Sequence, residues 1–211
     1  MRIHAAVLLA LLGGCAAPLA MGRGGAGIYD GGQPELAATL ELKEGGRYAY
    51  SLSYGAIDEV SQGTWREVDG GLVLDSDPSV APAFELKAAT PGDGANLAVA
   101  LETPAGMPRE AFSALVTMAD GSAFAADFTA ENLTIPLIEG ERVARIMLAL
   151  PIYGVRSGEF EVPPGTGVLS FRFVPNDLGV LALDEAFLPR REGAFLLERF
   201  DRLLRFRRVD P

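Results

Sequence analysis

Residues 36–54 read LAATLELKEGGRYAYSLSY, and the class of the fold rests on them. Leu36, Ala38, Leu40 and Leu42 fall on alternate positions, and so do Tyr48, Tyr50, Leu52 and Tyr54. A period of two marks a strand with one face in a core. Between the two runs stands Glu44-Gly45-Gly46, where glycine supplies the positive φ that a tight hairpin needs. The stretch is therefore an antiparallel hairpin, with a stripe of tyrosines on one face of its second strand.

The same style continues downstream. Gly55–Val60 reads as a polar connection, Gln62–Val68 as a strand, Asp69-Gly70-Gly71 as a turn and Leu72–Asp75 as the returning strand. Residues 28–82 thus form an N-terminal meander, ending in the Pro-containing break DSDPSVAP at 75–82. A second unit is expected over 83–211. Its clearest strands are Asn96–Glu102, Phe112–Met118, Val143–Leu150 and Val168–Val174, the last with Leu169, Phe171 and Phe173 on one face. Residues 194–209 (AFLLERFDRLLRFRRV) fit helical spacing through Leu196, Phe200, Leu203 and Arg207. They equally fit a hairpin turning at Phe200-Asp201-Arg202. The β character of the rest favours the hairpin. The fold class is all-β, an antiparallel meander packed with a second small β-sandwich-like unit. With 211 residues, 49% of them hydrophobic, and 11 Phe, the chain can fill such a core.

Upstream of the folded part, residues 1–14 read as a signal peptide. Met1-Arg2-Ile3-His4 is a basic start, and Ala5–Leu12 is an apolar run too short to cross a bilayer. Leu12-Gly13-Gly14-Cys15 resembles the lipobox of bacterial lipoproteins, which makes Cys15 the lipidation site and the membrane a partner through that anchor. Cleavage near Ala20 by ordinary signal peptidase is the alternative, leaving a soluble periplasmic or secreted chain. Residues 15–27 are a glycine-rich tether. The expected place is the Gram-negative envelope, at the outer membrane facing the periplasm.

Composition excludes several chemistries. The only His is His4 and the only Cys is Cys15, so the mature chain has no imidazole and no thiol apart from a lipidated one. Ser–His and Cys–His nucleophiles, and metal sites built on those ligands, are excluded. Lys43 and Lys87 are the only lysines. No phosphate-binding glycine motif occurs, and no cofactor is expected. The formal net charge of −10, together with export, argues against nucleic acid. Charge is also uneven. Residues 190–211 hold Arg190, Arg191, Arg199, Arg202, Arg205, Arg207 and Arg208 against four acids, whereas the rest of the mature chain is strongly acidic. That basic tail can pair with the acidic body or touch anionic lipid or polysaccharide.

The candidate residues are few. Tyr48, Tyr50, Tyr54 and Trp65 can either line a barrel mouth and contact a ligand or pack as a cross-strand ladder. Asp58-Glu59 and Asp75-Ser76-Asp77 offer oxygens to calcium but at no ordered spacing. Glu139/Glu141 and Glu159/Glu161 could serve two-carboxylate glycoside chemistry. Each of these acidic groups is more simply a solvated turn or strand face.

Gly27-Ile28-Tyr29, the run LELKEGGRYAYSLSY, Gly63-Thr64-Trp65 and Gly71-Leu72-Val73-Leu74 together resemble the lipocalin-like N-terminal domain of outer-membrane lipoproteins of the envelope-stress, copper-resistance type. The resemblance covers about residues 27–75. It implies a β-barrel-like meander in the envelope. The Cys pairs of that family are absent here, so its thiol and metal functions are not implied. Residues 112–150 are similar to carboxypeptidase-regulatory or transthyretin-like β-sandwich modules, which implies a non-catalytic accessory. The combined expectation is a non-enzymatic envelope protein with a binding, scaffold or accessory role. A lipocalin-like carrier of a small apolar ligand and a carboxylate-based glycoside hydrolase are the alternatives.

Overall fold

The computed structural model describes residues 25–209, so the expected signal peptide, Cys15 and most of the tether lie outside the described residues. Within them the chain is all-β. The first five strands, β1 (Gly27–Asp30), β2 (Leu36–Leu42), β3 (Arg47–Tyr54), β4 (Ile57–Val68) and β5 (Gly71–Ser76), form an antiparallel meander. Nine strands follow: β6 (Ala83–Pro91), β7 (Asn96–Glu102), β8 (Ser113–Met118), β9 (Ala123–Asp127), β10 (Leu133–Pro136), β11 (Val143–Leu150), β12 (Val155–Arg156), β13 (Phe160–Glu161) and β14 (Thr166–Val174). The chain then returns through β15 (Ala186–Arg191), β16 (Ala194–Arg199) and β17 (Arg202–Arg208).

The returning strands complete the meander. β15 pairs with β5, β16 with β15, β17 with β16, and β17 with β1, all antiparallel. The result is a closed eight-stranded barrel in the order β1-β2-β3-β4-β5-β15-β16-β17. Closure removes the two free edges that a five-strand meander would expose. The pairing therefore cuts across the expected division at residue 83: residues 186–208 join the barrel with 27–76, and only the segment between them builds the second unit. Residues 194–209 form the hairpin, turning at Phe200 (φ 52°) and Asp201 (φ 56°). Gly55–Val60 is not a connection. Gly55-Ala56 alone makes the turn and β4 starts at Ile57, facing Tyr54. The inward position of polar Glu59 disguises the alternation of Ile57, Glu59 and Ser61.

The inserted unit has two sheets. One is ordered β10-β7-β14-β6, with β7 and β14 parallel; the other has β11 flanked by β8 and by the short β12 and β13, with β9 beyond β8. Their facing sides share one core that includes Val99, Val116, Ile146, Leu148, Leu169 and Phe171. Phe84, Phe112 and Phe173 pack there with ring centroids 5.0–6.0 Å apart. The barrel core is a separate cluster sharing no residue with it.

The two linkers are stitched to the barrel and to each other. Val60 donates to Gly179 O at 2.8 Å, Leu181 donates to Val60 O at 2.8 Å, and Ser76 donates to Leu183 O at 2.7 Å. The Asp177 carboxylate accepts the Val80 N–H at 2.7 Å. The returning linker thus runs beside the half of β4 that β5 leaves unpaired, and it places Leu183 in the barrel core.

Candidate functional site

The barrel interior is filled. Tyr29, Leu40, Leu42, Tyr48, Leu52, Leu72, Leu74, Phe195, Leu204 and Phe206 are each at most 2% exposed and point into it. An eight-stranded barrel is just wide enough for side chains to occupy its interior. Tyr48 and Tyr50 belong to this core. The Tyr48 hydroxyl is 2.8 Å from Ser61 Oγ, and the Tyr50 hydroxyl donates to Glu59 Oε1 at 3.1 Å. Burial pushes both phenols above their ordinary range, and for Tyr50 the neighbouring Glu59 carboxylate adds to the effect. Tyr54 lies at the rim, where Arg202 stacks 4.9 Å from its ring centre. Trp65 is at the far end of the barrel, its indole N–H donating to Lys43 O at 3.1 Å beside a surface cleft of about 270 Å³. The four aromatics therefore do not meet in one pocket. Alternation puts Tyr48, Tyr50 and Tyr54 on a common face, which is core at Tyr48 and Tyr50 and rim at Tyr54.

Sequence reading missed the polar centre of the barrel. Glu59 is 7% exposed and projects inward from β4. Arg199 projects inward from β16, donating from Nε to Glu59 Oε1 at 3.0 Å and from a terminal nitrogen to Glu59 Oε2. With the Tyr50 hydroxyl, three donors meet one carboxylate. The hydrogen bond to Glu59 raises the Arg199 pKa, so the guanidinium stays charged. Arg199 also lies 4.7 Å from the Phe200 ring centre. The pair spans from β4 to β16, on the side where the returning linker lies against β4. Its signal was present in the sequence: opposite charges, each placed in an otherwise inward-facing alternation, Ile57-x-Glu59-x-Ser61 and Phe195-x-Leu197-x-Arg199.

The acidic candidates do not converge. Asp58 points to the side opposite Glu59 and accepts the Ser53 hydroxyl at 2.6 Å. Asp77 is held by Arg47, whose hydrogen bond pulls the carboxyl below its ordinary range. Glu141 accepts the Ile138 N–H in the turn it shares with Glu139. Glu159 pairs with Arg145 at 2.8 Å, and Glu161 borders a shallow cleft beside Arg142 and Arg145. Among the described residues no three His, Cys, Asp or Glu side chains are grouped to hold a metal.

Two outer surfaces are left. The first is the edge strand β9, which reads AFAAD. Sheet edges are normally protected by charge, proline, bulges or brevity. The other edges of the inserted unit follow that rule. β6 carries Glu85, Lys87, Pro91 and two register shifts, β10 has four residues ending in Pro136, and β12 and β13 have two residues each. β9 has no proline and a single charge, Asp127 at its end, pairs with β8 in unbroken register, and leaves Phe124 42% exposed. The second surface is the outer wall of β17 and β1, where Arg205, Arg207 and Arg208 line a cleft of about 390 Å³ with Asp30.

The register also gives the barrel a polarity. Gly27 at the start of β1, Leu42 and Arg208 lie at one end. Ser76 and Ala186, where the inserted unit leaves and returns, lie toward the other, with Tyr54, Ile57, Arg199 and Arg202. Tyr29 donates its hydroxyl to Gly25 O at 2.7 Å, and Arg208 donates to Ala26 O at 2.8 Å, fixing the point where the preceding chain joins. No protein-family model, no curated protein and no solved structure matches the chain.

Proposed function

We propose that the protein is a non-enzymatic, lipid-anchored envelope scaffold whose barrel is a platform and whose inserted sandwich engages a protein partner by strand addition along β9. The polarity of the barrel carries this reading. The N-terminal segment joins at one end and the insert leaves toward the other. A tether attached at Cys15 would then hold the sandwich away from the membrane. An edge whose first four residues are apolar, on the part held outward, suits β-augmentation, in which main-chain hydrogen bonds supply affinity and side-chain pockets supply selectivity. The filled barrel favours this role over a carrier, because core side chains occupy the space a ligand would need.

A photo-crosslinking residue placed at Phe124 on β9, and separately at Leu86 on β6, tests the reading in an envelope-bearing host. The expected result is one discrete adduct from position 124 that disappears on Ala125→Lys, with none from position 86. No adduct from position 124, or the same adducts from both positions, would overturn strand addition. Intact mass and membrane partition of the wild type and Cys15→Ser test the anchor: a lipid increment lost in the variant supports it, and equal soluble partition refutes it.

A further inference from the structure

The outer face of β17 alternates Leu203, Arg205 and Arg207, and Val209 continues it. Leu203 is 45% exposed and Val209 49%, and the Val209 N–H donates to Ile28 O on β1, whose side chain is 52% exposed. Through Ala194 on β16, Arg207 is in register with Arg191 of β15, which adds another cation to the same wall. The acids nearby are Asp30, which accepts the Gly32 N–H, Glu192, which lies 3.9 Å from Arg205, Glu198, opposite Leu203 on β16, and Glu41, opposite Ile28 on β2 and paired with Lys43. This basic wall belongs to a chain whose net charge is −10. It adjoins the fixed junction with the N-terminal segment, since Arg208 in the same cleft donates to Ala26 O.

We infer that the end of this wall nearest the N-terminal junction docks on an anionic phospholipid surface, the arginines taking lipid phosphates and Ile28 and Val209 resting at the headgroup level. Guanidinium groups match phosphate in forked geometry, and they keep their charge at any physiological pH. Ten residues lie between Cys15 and Ala26, and an ideal coil of that length reaches roughly 20 Å. The inference rests on the envelope reading for its biological setting: an anchor at Cys15 would keep the wall within that distance of the bilayer. The charge itself acts with or without the anchor.

The test uses the full chain with vesicles of phosphatidylcholine, alone or with about one third phosphatidylglycerol, at about 0.05 M and about 0.5 M salt. Residues 1–24 are the same in the wild type and both arginine variants, so their own affinity for lipid cancels in that comparison. Each Arg at such a surface is worth about 1 kcal/mol, or about fivefold in partition, so Arg205→Gln/Arg207→Gln should lower the phosphatidylglycerol-dependent binding by more than about tenfold. Arg145→Gln/Arg172→Gln on the sandwich should leave it unchanged, and high salt should abolish it. Equal binding by wild type and the β17 variant would overturn the inference. So would equal loss in both variants, or saturable binding of inorganic phosphate without vesicle association. Anionic-lipid binding that survives Cys15→Ser, with no lipid increment in the mass of the wild type, would refute the anchor and leave the docking wall standing.

Discussion

Replacing Arg199 by methionine should destabilise the barrel out of proportion to the area involved. Glu59 has a side chain only 9% exposed, and Arg199 supplies two of the three hydrogen bonds the carboxylate receives. Methionine keeps the bulk but leaves a buried charge with one phenolic donor. Breaking such a pair from one side costs about 3–5 kcal/mol. Because the Arg199 side chain is 28% exposed and the site partly hydrated, the lower figure of about 3 kcal/mol applies. In a chain of this size that lowers Tm by roughly 6–12 °C. Glu59→Leu should cost less, about 1–2 kcal/mol, since the orphaned guanidinium can swing toward solvent. The double variant should return to within about 1 kcal/mol of wild type, because an apolar pair in a core often matches an ion pair. The assay is urea unfolding followed by Trp65, the sole tryptophan, which packs against the barrel core and so reports on the barrel alone. An Arg199→Met cost below about 1 kcal/mol, or a double variant as unstable as the sum of the singles, would refute the reasoning.

Three further outcomes are expected. Tyr29, Tyr48 and Tyr50 have pKa values raised by burial. Their contribution to stability is intact below the unfolded tyrosine value of about 10 and is lost as pH rises beyond it. Urea midpoints measured from about pH 8 to about pH 11 should therefore fall at the alkaline end, less steeply for Tyr48→Phe. Asp201 holds φ 56° in the two-residue turn between β16 and β17. Asp201→Gly should therefore raise stability by about 0.5–1 kcal/mol, and a lowered midpoint would count against a type I′ geometry. Phe171→Ala should remove about 3–5 kcal/mol from the sandwich while the Trp65-reported transition stays in place, because the two cores share no residue. A common shift of both transitions would show that the units unfold as one.

Much of the local structure was legible. Arg47–Tyr54 and Val143–Leu150 are strands with the bounds their alternation gives, and Leu169, Phe171 and Phe173 are all buried as their common face requires. The hairpin at the C-terminal end also followed from pattern and context. The first half of β4 is not legible locally, because Glu59, an inward acid, looks like loop composition until its partner is known. β15 has no local signal, because Ala186–Arg191 carries a proline and two arginines and buries only Leu188.

Alternation, glycine turns and the absence of His and Cys beyond Cys15 are properties of short stretches or of composition. From the sequence alone they determined an all-β chain, which faces of its strands seek a core, and that the residues after Cys15 carry no imidazole or thiol for nucleophilic or metal chemistry. Tertiary structure alone decided that strands beyond residue 185 close the barrel begun before residue 77, that the tyrosine face is core and not lumen, and that Glu59 meets Arg199. Strand pairing between segments more than a hundred residues apart is selected by edge satisfaction and shape across the whole sheet. No local period encodes which distant edge a strand will find.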